Sequence, residues 1–104
     1  MKVNYNSVEL DVSVTNVDVL EAISGIKADI ESFKNCKTMQ DTIDRIKIVE
    51  TKVKTIVENG GADFSTVFPK RDYIDYLKFI QIFVEAFNKT DFKSELSELV
   101  DITL

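Results

Sequence analysis

The apolar residues change their period once, near residue 15, and that change limits the fold more than any other feature. Up to Val14 they alternate: Val3, Tyr5, Val8, Leu10, Val12 and Val14 are apolar, while Lys2, Asn4, Glu9, Asp11 and Ser13 are not. A period of two with β-branched residues is the pattern of a half-buried strand. Asn6-Ser7 is the turn, because Asn tolerates the positive φ of a two-residue hairpin, although Gly is preferred to Ser in the second position. Pairing across it sets Tyr5 opposite Val8 and Val3 opposite Leu10, then Asn4 opposite Glu9 and Lys2 opposite Asp11. Both faces are then uniform in character, which favours this register.

Beyond Thr15 the spacing becomes three and four. Val19, Ile23, Ile26, Ile30 and Phe33 predict one amphipathic helix, capped by Asn16 or Asp18 and weakened by Gly25. Thr38 followed by Asp41 predicts a second start, with Met39, Ile43, Ile46, Val49, Val53 and Ile56 as its stripe. Asp41 with Arg45, Asp44 with Lys47 and Glu50 with Lys54 are expected ion pairs on its solvent side. Asn59-Gly60-Gly61 ends it with a left-handed glycine.

Residues 62–69 are a connector with one helical turn, closed by Pro69. The next helix, Asp72 to Lys89, has a wide stripe of Tyr73, Tyr76, Leu77, Ile80, Phe83, Val84 and Phe87, with Ile74, Phe79 and Ile82 outside it. A helix apolar on nearly every side is buried centrally or covered by a partner. Thr90-Asp91 caps a last short helix with Phe92, Leu96, Leu99 and Val100 inward. The expected fold is α+β, a single domain over 1–104. An N-terminal β-hairpin (1–14) packs on a small helical bundle (16–104) of three main helices plus a short C-terminal one. A chain of 104 residues has room for one core without disulfides or metals.

Composition then removes whole classes of chemistry. There is no histidine and one cysteine, Cys36, so Ser-His-Asp catalysis, Cys/His zinc sites and a disulfide framework are excluded. Cys36 between two lysines reads as a small apolar residue at a corner. The carboxylate pairs Asp41/Asp44 and Asp72/Asp75 have spacing that suits Mg²⁺ with a phosphate. Both pairs lie in first helical turns, where acids cap amides and complement the dipole. Gly60-Gly61 lacks the Lys-Ser/Thr of a phosphate loop. No catalytic residue, metal site or cofactor is read, and the chain is expected not to be an enzyme.

The net charge is -5, and the middle of the chain is neutral with the excess acid at its two ends. That opposes nucleic-acid binding, for which Lys70-Arg71 beside Tyr73 and Tyr76 is a thin footprint. No apolar run suits a signal peptide or a membrane span, and a lone cysteine suits a reducing compartment, so a cytoplasmic location without membrane contact is expected. Function is therefore expected on a surface. Tyr73, Tyr76, Phe79, Ile82 and Phe83 are the residues expected to meet a protein partner. The hairpin edges also suit strand addition by a partner or by a second copy, giving a homo-oligomer.

The segment Val3-Asn4-Tyr5-Asn6-Ser7-Val8-Glu9-Leu10-Asp11-Val12, followed by Val14-Thr15-Asn16-Val17-Asp18-Val19 and a helix, resembles the start of small proteins encoded beside tail genes in prophages of Gram-positive bacteria. Those are similar to tail assembly chaperones. Their two amphipathic helices, Phe-containing connector (here Asp63-Phe64 to Phe68) and apolar helix (here Tyr73–Phe87) occur in the same order. The turn differs, Asn-Ser for Asn-Gly, and Pro69-Lys70-Arg71 is not part of that pattern. The resemblance implies a bacteriophage origin, a non-enzymatic role and a phage tail protein as partner, in the cytoplasm of the bacterial host. It implies no catalytic residues. The alternative expectation is a phage anti-defence inhibitor, anti-CRISPR-like, that binds and blocks a host defence protein.

Overall fold

Asn6 and Ser7 both adopt positive φ, 49° and 62°, and the chain reverses over those two residues as a primed hairpin turn requires. The computed structural model describes residues 1–90. Strand β1 (Lys2–Tyr5) pairs antiparallel with β2 (Val8–Asp11) in the expected register: Lys2 with Asp11, Val3 with Leu10, Asn4 with Glu9 and Tyr5 with Val8. Regular pairing ends at Asp11, but Val12 and Val14 remain buried and keep the alternation.

Five α-helices follow among the described residues: α1 (Val17–Ser24), α2 (Ile26–Ser32), α3 (Met39–Asn59), α4 (Phe64–Val67) and α5 (Tyr73–Lys89). The architecture is the expected α+β one, a hairpin with three main helical parts, the broken α1–α2 pair, α3 and α5. The short helix among the described residues is α4, the connector's single turn. The expected C-terminal helix lies outside the described residues.

The caps explain where the helices start. The Asn16 side chain accepts from the Val19 amide, Thr38 from the Asp41 amide and Asp72 from the Ile74 amide. Each satisfies an amide that has no partner inside its helix. The helix expected from Asn16 to Phe33 is in fact two. Gly25 separates α1 from α2, and the Lys52 ammonium lies only 2.9 Å from where a Cβ on Gly25 would stand. That lysine pairs with Asp29 of α2 and so ties the broken helix to α3. A short 3-10 turn, Phe33–Asn35, then leads to α3.

The core lies between the hairpin, the second half of α3 and α5. Val3, Leu10 and Val12 meet Val49, Val53, Ile56 and Val57 of α3, and Tyr76, Phe79, Ile80 and Phe83 of α5. The hairpin is held at both ends. Asp11 donates its amide to the Gly60 carbonyl, and the Ser13 amide donates to the Asn59 side chain. At the other end Asn6 donates to the Val67 carbonyl and the Tyr5 hydroxyl to the Asp75 carbonyl. Gly60 is required by close packing, since a Cβ there would stand 2.9 Å from the Leu10 Cβ.

Two expectations for α3 need correction. Its stripe is only half covered: Val49, Val53 and Ile56 are buried, whereas Met39 is 76% exposed and Ile43 is exposed too. The first half of α3 runs beyond the hairpin and α1. The expected ion pairs are replaced as well. Glu50 pairs with Arg71, Lys54 with Glu58, and Asp44 accepts from Gln40. The tertiary bond to Arg71 is bidentate, a geometry that Lys54 cannot offer.

Candidate functional site

Helix α5 forms by strong apolar patterning behind an Asp cap, and its faces divide the expected partner residues. Tyr76, Phe79 and Phe83 are at most 1% exposed and belong to the core. Phe79, placed outside the stripe by sequence, is at its centre: its ring meets Tyr5, Phe68 and Phe83. Tyr73 is half-buried and stacked on Phe33, with ring centroids 4.9 Å apart. Ile82 is exposed. These five residues therefore form no common surface, because the hairpin and α4 cover the side of α5 that carries the largest rings.

An apolar groove does open on the neighbouring side of α5. Leu77, Ile80 and Val84 form one wall, and Ile26 and Ile30 of α2 the other, around about 440 Å³. Lys27 and Glu31 line the α2 side, Gln81 and Glu85 the α5 side. The groove exists because α2 and α5 both pack on α3 without closing on one another. The sequence pattern places Leu77, Ile80 and Val84 in the wide stripe of a helix expected to be buried centrally or covered by a partner, without singling them out. The usable signal was their position at the margin of that stripe, spaced three and four apart.

A second cluster joins α3 to the start of α5. Glu50 accepts from Arg71 Nε and Nη2 at 2.8 and 2.6 Å and from the Tyr76 hydroxyl at 2.6 Å. The Arg71 bonds hold the Glu50 carboxyl below its ordinary range, against the opposing effect of burial, and Tyr76 adds to the lowering. Burial raises the Tyr76 hydroxyl, and donation to Glu50 raises it further. Arg71 adopts φ 50°, a strained conformation for a non-glycine residue, held by this pairing. The basic pair that suggested a phosphate contact thus spends its arginine on an internal carboxylate.

The remaining candidates have structural roles. Asp72 caps α5, and Asp41 accepts from the Lys37 amide. Among the described residues no three His, Cys, Asp or Glu side chains are grouped to hold a metal ion. No helix among them is long and apolar enough to cross a membrane. Cys36 is a free thiol, half-buried. A polar groove of about 620 Å³ between α1 and α3 includes Asp18, Glu21, Lys52 and Glu58. No family model, curated protein or solved structure matches the chain.

Proposed function

We propose that this protein is a non-enzymatic, phage-encoded interaction module, similar to a tail assembly chaperone, which shelters an apolar helix of a phage tail protein. The observation that carries this reading is the groove between α2 and α5, with Ile26, Ile30, Leu77, Ile80 and Val84 along it. An amphipathic client helix inserts its side chains at i, i+3, i+4 and i+7 into such a groove. Covering apolar groups there contributes about 25 cal/mol per Å² removed from water, and it keeps the client's own stripe from aggregating. The order of hairpin, helices and apolar helix in the chain supports the choice of client.

The test is co-expression with a long helical phage tail protein. Wild-type protein should carry that client into the soluble fraction and co-purify with it. Leu77→Lys and Val84→Lys change half-buried groove positions and should leave the client insoluble while circular dichroism stays native. A client that is insoluble with every version, or equally soluble with the groove variants, overturns the proposal.

A further inference from the structure

The groove's rim carries charges with no partner. Lys27, Glu31 and Glu85 are exposed, and none of them is in an ion pair among the described residues. Their places along the groove follow from the helix directions. Phe33 comes directly after α2 and stacks on Tyr73, the first residue of α5, so α2 and α5 run antiparallel. Glu85 therefore lies at one end of the groove, and Lys27, about 9 Å short of it along the axis, is level with Ile80. Glu31 lies one turn further along, towards Leu77. From Leu77 to Val84 the wall spans about 10 Å of helix axis, or two turns.

From this arrangement, and resting on the protein-binding reading above, we infer that the groove selects a partner helix with two turns of apolar stripe and basic flanks. Its basic residues lie opposite Glu31 and Glu85, and an acid lies opposite Lys27. A helix laid over an apolar floor strips water from the rim. A matched flank replaces that water with an ion pair, whereas an acidic flank sets like charges together, so the rim discriminates chiefly by repulsion. The same sign argument disfavours two other occupants. Residues 91–104 carry Asp91, Glu95, Glu98 and Asp101 against the single Lys93. A second copy brings a net charge of -5 to a rim already richer in acid.

Two labelled, designed peptides with one apolar stripe, flanked either by lysines or by glutamates, test this against the full chain by fluorescence anisotropy. The lysine-flanked peptide should bind about fivefold more tightly at low salt, as two rim pairs of ordinary surface strength supply. The preference should shrink at high salt. The double variant Glu31→Lys/Glu85→Lys should reverse it. Equal binding of both peptides, unmoved by that variant, overturns the charge selection and leaves the groove reading intact. If neither peptide binds, the groove reading itself fails. A peptide of residues 91–104 binding as tightly as the lysine-flanked one overturns the external occupant in favour of the chain's own segment.

Discussion

Glu50 shows how a single side chain can bind distant parts of a chain and make them sensitive to acid. It accepts from Arg71 and Tyr76, and its carboxyl titrates below the ordinary value of 4.5. The folded state then binds this proton less readily than the unfolded chain. Its contribution is complete above about pH 4.5 and is lost as pH falls through the lower, folded value. Urea unfolding of wild type and Glu50→Gln should differ most near neutral pH, and the difference should narrow as pH falls below the ordinary carboxyl value of 4.5. A constant difference would refute the linkage. Ser7 makes a second prediction. It holds φ 62°, a conformation costing an L-residue about 1–2 kcal/mol. Glycine removes that cost but adds chain entropy to the unfolded state. Ser7→Gly should therefore raise stability by about 0.5 kcal/mol in denaturant unfolding.

At the scale of elements, Gly60 decides how closely the hairpin lies on α3. Its φ of -72° is ordinary, so Gly60→Ala acts through contact alone. The new methyl group would meet the Leu10 Cβ and the Val12 Cγ2 at 2.9 and 3.1 Å. Neither is the end of a flexible side chain, and overpacking of this kind costs about 1–3 kcal/mol. Guanidinium titration should show that loss, while Gly25→Ala, which meets the flexible tip of Lys52 and, at an ordinary 3.9 Å, the Asp29 carboxylate, should cost less. Local signals were legible in the sequence: all four hairpin pairs, the caps at Asn16 and Thr38, and the glycine end of α3. Partner choice between elements was not. The exposure of Met39 and the burial of Phe79 depend on which helix lies alongside, and no periodicity records that. The groove was missed for the same reason. Leu77 and Val84 have a core pattern, and only the gap between α2 and α5 makes them surface.

Across the whole molecule, stability should be uneven and should rise along α3 from Met39 towards Val57. Its second half is enclosed by the hairpin, α1 and α5, with Val49, Val53 and Val57 fully buried. Its first half has Met39, Ile43 and Ile48 exposed. Amide exchange should be slowest from about Val49 to Val57 and markedly faster from Met39 to Ile48, because local opening there exposes little new apolar surface. Uniform protection along α3 would contradict the packing described here. The same unevenness is consistent with a binding role: one body of core supports a groove wall whose apolar groups the described residues leave uncovered.

The anchoring of the hairpin also bears on how the chain is made. The hairpin strands leave the ribosome well before their partners: Asn6 waits for Val67, and Tyr5 waits for Asp75 and Phe79. A two-stranded hairpin is marginal alone, and translation at about 5–20 residues per second leaves it unsupported for seconds. Val3, Leu10 and Val12 are then bare in the nascent chain. The charged outer face, Lys2, Glu9 and Asp11, is what the growing polypeptide has to keep those strands apart from their neighbours on the same message.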